Sequence, residues 1–413
     1  MRHQLIGYRL IPIASVITPA ALTVTLAPTT PVQSQMTRVP RVDFTSLNFA
    51  NVQGGVANFA YTNPRFAVDK VVAATAAQGS ILSIPPQYPN SSWSLDFAGP
   101  SIVCTEVQGS ALNDIQKNIQ AAIATGNCST SFAYIGWTPS YIETGGAGAD
   151  FTLYTLPFLL SQRNNSYSLN GSPLGPLPRG VFPNDTIPPA SFYAAIYHNM
   201  TDEIAYDQTP GVCQPTEDNG KLPNITAFQC VLQNSSYHTS FSYTNGEQAI
   251  NISVDPKPYN TVSPLYTLDM SYDSPLANYT SNATSEVFQG YLPGVAETLA
   301  YQSIMSSFGS VMVGTIYNSY SSLGGLVTDG TSVMSTVIGE TEELVWLNGY
   351  PSAKTSGSAQ TLQEVIAEAS GGDPMWNGID VVEDFQSSLP FKAAMESLFQ
   401  NITIGMMSSK LLQ

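Results

Sequence analysis

The chain has 413 residues, of which 43% are hydrophobic and only 11% charged, with a formal net charge of -16 from 14 Lys and Arg against 30 Asp and Glu. That length exceeds the roughly 250 to 300 residues at which a single core stops growing, so one large or two smaller domains are expected; 21 Tyr and 17 Phe exclude a wholly disordered chain. The absence of any Lys/Arg run excludes a phosphate-binding footprint, so nucleic acid is not an expected partner, and charge far below the usual level of about 25% requires a surface that is polar without being ionic.

At the N-terminus, Arg2 and Arg9 are followed by an uncharged stretch from Leu10 to Ala27. Basic flank, apolar run and small residues near Ala21 to Ala27 fit a signal peptide; the length is also near that of a membrane helix, although Pro12 and Pro19 weaken it, and a core segment is the third reading. Residues 1–36 are therefore set apart as a membrane-proximal hydrophobic segment or signal peptide. Residues 37–163 are expected to form a first lobe, 164–192 a Pro/Gly-rich loop, and 193–413 a second lobe.

Ala111 to Thr125 is the clearest helix in the sequence. Leu112, Ile115, Ile119, Ala122 and Ile123 share one face, Ser110 is placed to cap the start, and Gly126 to close the end. Further on, Gly145, Gly146 and Gly148 in TGGAGAD match neither a dinucleotide fingerprint nor a phosphate loop, and are read as a turn. His198 lies near Asp202 and Glu203, but without metal-ligand spacing, and His3 falls in the N-terminal segment. No G-x-S-x-G elbow occurs. No catalytic residue, metal site or cofactor is assigned.

The four cysteines, Cys104, Cys128, Cys213 and Cys230, are spaced too widely for a zinc or redox motif and are read as two disulfides. Of three possible connectivities, local pairing of Cys104 with Cys128 and of Cys213 with Cys230 is expected, each loop contributing roughly 3 kcal/mol.

Around Asn245-Gly246 the sequence alternates in a hairpin pattern. A two-residue type I′ loop pairs Phe241 with Ile250, Thr239 with Ile252 and Tyr237 with Val254 on a core-facing side, and puts His238, Ser240, Ser242, Asn251 and Ser253 on the solvent side. The same parity exposes Leu232, so a bulge upstream is expected. The spacing of the hairpin aromatics is that of core packing rather than of a sugar platform.

Toward the C-terminus, helices are expected at Val295 to Val313, Leu362 to Ala369 and Phe391 to Gln400, the last with Pro390 at its first position. Glu297 and a steady supply of Ser make the first a buried helix rather than a membrane span. Acidic residues gather at Glu340, Glu342 and Glu343 and at Asp380, Glu383 and Asp384; they are read as exposed turns and helix starts, although a glycosidase needs such a carboxylate pair. Strands, turns and a minority of helices give an α+β class: a β-rich, disulfide-bonded extracellular domain.

Location is signalled by N-x-S/T sequons at Asn90, Asn127, Asn164, Asn170, Asn184, Asn199, Asn224, Asn234, Asn251, Asn278, Asn282 and Asn401. With 25 Asn and 82 Ser or Thr, chance predicts about 5. The excess points to an N-glycosylated protein of the secretory pathway, its glycans supplying the uncharged polar surface. Early bonding of Cys128 would make Asn127 a poor acceptor.

Three segments carry a resemblance. CVLQNSSYHTSFSYTNGEQAINISV (Cys230 to Val254), IPIASVITPAALTV (Ile11 to Val24) and LPFKAAMESLFQNITIGMMSSKLL (Leu389 to Leu412) resemble a hairpin, a membrane-proximal lead-in and a segment before the last membrane helix in a family of uncharacterised multi-pass membrane proteins of filamentous fungi. The resemblance brackets nearly the whole chain and implies a large glycosylated domain displayed at the plasma membrane or cell surface, between membrane helices. It implies no activity. The chain differs in lacking several upstream membrane helices and in stopping at Gln413, as expected of a truncated gene product or of a secreted domain.

The leading expectation is a non-enzymatic ectodomain for binding, sensing or cell-wall contact, with a membrane and an extracellular ligand or wall polysaccharide as partners. The alternative is a secreted carbohydrate-active hydrolase using a carboxylate pair; a structural wall glycoprotein is disfavoured by the lack of Ser/Thr repeats.

Overall fold

The computed structural model describes residues 38–54, 58–113, 115–116, 119, 130–138, 141–143, 151–163, 166–177, 189–197, 224–255, 260–262, 267–269, 293–319, 326–349 and 389–413. The chain divides into two units, Met1–Val39 and Pro40–Gln413, and the described architecture belongs to the second. In chain order, β1 (Ala50–Gly54) and β2 (Asn58–Pro64) precede helix α1 (Phe66–Gln78), and β3 (Ser91–Glu106) follows it. After β3 come β4 (Thr130–Trp137), β5 (Tyr141–Glu143), β6 (Phe151–Arg163), β7 (Ser166–Leu177), β8 (Ser191–Tyr197), β9 (Ile225–Thr244), β10 (Glu247–Val254), β11 (Asn260–Thr261) and β12 (Thr267–Asp269). Helix α2 (Pro293–Met312), β13 (Gly314–Ser319), β14 (Leu326–Asp329) and helix α3 (Phe391–Gly405) complete the series. The α+β class holds.

The largest sheet has eight strands and is organised by β9. Along one side β9 pairs with β3 for the whole of that strand, and along the other with β10, β11 and β8; the order then runs from β8 to β4, β13 and β14. Residues on both sides of 164–192 thus share one sheet, and that segment itself contains β7 and the start of β8. β1, β2 and β12 form a second sheet, and β5, β6 and β7 a third.

Near β8 the large sheet is buried on both faces. Phe192, Ala194, Ile196, Phe228, Cys230 and Leu232 belong to the main core, while Tyr193, Ala195, Ile225 and Ala227, one residue out of step, join a second core with Ile115 and Ile119. This double coverage explains Leu232. The expected bulge is absent: pairing of β3 with β9 runs without a shift from Ser91↔Tyr243 to Glu106↔Phe228, and Leu232 is buried because this half of the sheet has no solvent face. A bulge does occur in β4, where Ile316 pairs with Tyr134 but Tyr317 with Phe132, skipping Ala133 and moving Phe132 into the second core.

Three helices contribute to the main core. In α1 the buried residues Val68, Val71, Val72, Thr75 and Ala76 follow the spacing of one helical face, and Gly79 closes the helix at φ +67, its N–H donating to the Thr75 carbonyl. No element is expected there from the sequence. The expected helix at Val295 to Val313 is α2, and the one at Phe391 to Gln400 extends to Gly405 as α3. Pro390 is the residue before α3 rather than its first, and the Glu343 carboxylate accepts from the Phe391 N–H at 2.7 Å, placing negative charge at the helix N-terminus. Described residues between 109 and 119 are helical from Gly109 on, with Ile115 and Ile119 buried as expected; its C-terminal half, and Leu362 to Ala369, lie outside the described residues. Among the described residues no helix is long and apolar enough to cross a membrane.

The disulfide corrects the expected local pairing. Cys104 is bonded to Cys230, 126 residues away, across directly opposed positions of β3 and β9 with Cα atoms 3.9 Å apart. Such a close pair is of the non-hydrogen-bonded kind, so the Cys104 N–H faces away from β9; the Glu396 carboxylate of α3 accepts it at 2.8 Å. Four residues back, Pro100 occupies an equivalent position, where its missing N–H costs no ladder bond, and its carbonyl accepts from the Tyr237 and Thr403 hydroxyls at 2.6 and 2.8 Å. Side chains of α3 thereby occupy the outer edge of β3. Cys128 and Cys213 lie outside the described residues.

At the C-terminus the chain returns to where the unit begins. The Asp43 N–H donates to the Leu412 carbonyl at 3.1 Å, and Leu412 is buried.

Candidate functional site

The open face of β3, β9 and β10 is where the sequence concentrates accessible chemistry. The turn at Asn245-Gly246 has φ +53 and +85, as a type I′ loop requires, and it sets the expected register: Phe241↔Ile250, Thr239↔Ile252 and Tyr237↔Val254. Tyr237, Thr239, Phe241 and Tyr243 are buried, with Trp93 stacked on Phe241 and Tyr243 at 5.1 Å each and Phe97 on Tyr237 at 5.2 Å. The aromatics are core, as expected.

On the solvent side the register aligns mostly polar residues in rows: Ser92, Ser242 and Ala249; Ser94, Ser240 and Asn251; Asp96, His238 and Ser253. All nine are exposed. His238 Nδ1 lies 2.8 Å from the Asp96 carboxylate, with the side chains 60% and 78% exposed. A pair this accessible contributes at most about 1 kcal/mol. The neighbouring hydroxyls of Ser94, Ser240 and Ser253 make no hydrogen bond to the imidazole, so the arrangement lacks the aligned nucleophile of a hydrolytic triad. Asp96 carries no signal in the sequence, because only the distant alignment of β3 with β9 brings it to His238.

Beneath α2 lies a second polar cluster. Tyr301, 1% exposed, donates to Glu297 at 2.7 Å and to the Asn234 amide oxygen at 3.3 Å, while Asn234 Nδ2 donates to Glu297 at 3.3 Å. Burial, with the Glu297 carboxylate adding to it, pushes the Tyr301 hydroxyl far above its ordinary range, so it is a neutral donor that keeps Glu297 and Asn234 oriented.

Glu340 and Glu342 are exposed, and Glu343 is committed to the start of α3. Asp380, Glu383, Asp384, His3, His198, Asp202, Glu203, Gly145, Gly146 and Gly148 lie outside the described residues, as do Asn127, Asn164, Asn184, Asn199, Asn278 and Asn282; Asn170 lies in β7. Among the described residues no group of three or more His, Cys, Asp or Glu is placed to hold a metal ion.

The α+β fold and this polar face define no reaction class. Comparisons with protein-family models, with curated proteins and with solved structures find no match.

Proposed function

We propose that the chain is the extracellular, N-glycosylated domain of a fungal membrane protein, serving binding, sensing or cell-wall contact rather than catalysis. The observation that carries this reading is the excess of sequons together with the exposure of Asn90, Asn224 and Asn251, the last on the edge strand of a sheet face made mostly of small side chains. The Cys104–Cys230 bond supports it, since structural disulfides persist in oxidising compartments. The fungal and membrane parts rest on the resemblance of Cys230 to Val254 and of the two flanking segments.

The test is an endoglycosidase mobility shift on the tagged chain in a fungal host, run separately on alkali-washed membranes and on medium. A shifted band in membranes is the expected result. A shifted band confined to the medium would replace the membrane reading by a secreted one and call for a polysaccharide-hydrolysis screen, and no shift would remove the glycoprotein reading.

A further inference from the structure

Five sequon asparagines have described side chains, and their surroundings divide them into two sets. Glycosylation joins the side-chain amide nitrogen to the anomeric carbon of an oligosaccharide carried on a lipid diphosphate; the nitrogen loses one proton and the lipid diphosphate leaves. The product keeps its carbonyl oxygen as an acceptor but has a bulky substituent where one N–H was. A sequon whose amide oxygen is used and whose nitrogen faces water is therefore compatible with a glycan, whereas one whose nitrogen is held against protein is not.

Asn251 is exposed on the outer face of β10, which pairs with β9 alone, and Asn224 is exposed just before β9. Asn90 is exposed as well, and its one hydrogen bond uses the oxygen: the Asn245 N–H of the hairpin turn donates to Oδ1 at 2.8 Å. A glycan on Asn90 leaves that bond in place.

The other two are half-buried and donate through nitrogen. Asn234 stands in β9 between Pro100 of β3 and Asn260 of β11, its Nδ2 donating to Glu297 and its oxygen taking the Tyr301 hydroxyl of α2. Asn401, on α3, donates from Nδ2 to the Gly79 carbonyl at 3.1 Å, where α1 ends. A sugar on either nitrogen would occupy the place of α2 or of the α1 terminus.

We infer that Asn90, Asn224 and Asn251 are the glycan acceptors of the described surface, and that Asn234 and Asn401 are structural amides which the folded protein retains unmodified. This rests on the glycoprotein reading above. The test is site-by-site mapping of the full chain from a fungal host, with amidase release in heavy-oxygen water so that each glycosylated Asn becomes a labelled Asp. Label at Asn90, Asn224 and Asn251, with Asn234 and Asn401 unlabelled, is expected. Label at Asn234 or Asn401 matching that at Asn251 overturns the inference, as does a bare Asn90, Asn224 or Asn251 in a chain labelled at the others.

A chain without label at any sequon sinks the glycoprotein reading, and with it the three acceptor sites. The structural half is then read on unglycosylated chain from an oxidising bacterial host. Asn234→Asp and Asn401→Asp should lower the urea midpoint, each turning a donor into a carboxylate that faces an acceptor, while Asn251→Asp should leave it in place. Equal midpoints for all three refute it.

Discussion

Removing the Cys104–Cys230 bond perturbs the one covalent link between β3 and β9, and its size follows from the separation. A crosslink between residues 126 apart restricts the unfolded chain by about 5 kcal/mol on the loop-entropy relation, against roughly 3 for either local alternative. In C104A/C230A the two buried sulfur atoms are lost as well, each comparable to a methylene, adding about 1.6 kcal/mol in all. The variant should therefore be less stable than the parent by about 6.5 kcal/mol, of the order of a whole domain's stability. Urea denaturation followed by intrinsic fluorescence measures this. A loss below about 2 kcal/mol would refute the reasoning, because the loop-entropy relation gives more than twice that for a loop of this length. So would a non-reducing peptide map joining Cys104 to Cys128.

Two glycines with positive φ should respond differently to alanine. At Gly246, φ +85, an added Cβ meets open space and Gly246→Ala should cost about 1 kcal/mol of backbone strain, whereas at Gly79 it runs into the Val337 side chain and the cost should exceed 2 kcal/mol, read from denaturation midpoints. Phe308 is fully buried edge-to-face against Phe192 and Phe399, so Phe308→Ala should destabilise by about 3–5 kcal/mol in the same assay. Burial pushes the Tyr193 hydroxyl up to about 12, with a Ser191 hydrogen bond opposing it. The unfolded chain releases that proton near pH 10 while the fold retains it, so its contribution is complete below about pH 10 and lost as pH rises to about 12, on the order of 3 kcal/mol. Tyr193→Phe should flatten the alkaline limb of a stability–pH curve. Asp96→Asn, on an exposed pair, should move stability by less than about 1 kcal/mol at neutral pH.

Local signals were readable and distant ones were not. The hairpin register follows from its own two-residue turn, because a loop with two positive-φ residues leaves one alignment of the flanking strands. Helices α2 and α3 carried their apolar periodicity, and α3 its leading proline. Helix α1 has the right spacing at Val68, Val71, Val72, Thr75 and Ala76; its Val and Thr residues lower the helix propensity that its alanines raise, and the stop at Gly79 was the usable cue. The disulfide and the Asp96–His238 pair both depend on β3 lying beside β9, a pairing that no turn specifies and that short-loop reasoning argues against. Leu232 misled for a related reason: alternation was read as one-sided, while this half of the sheet is covered on both sides.

The bond from Asp43 to Leu412 makes the unit a closed circuit in space. A body whose chain enters and leaves at neighbouring points can be spliced into a host protein at one position, or opened elsewhere and rejoined through a short connector, without stretching its framework. Two tethers attached at these points would emerge side by side, so pulling on both would load the Asp43–Leu412 contact first and leave the long β3–β9 ladder unstressed.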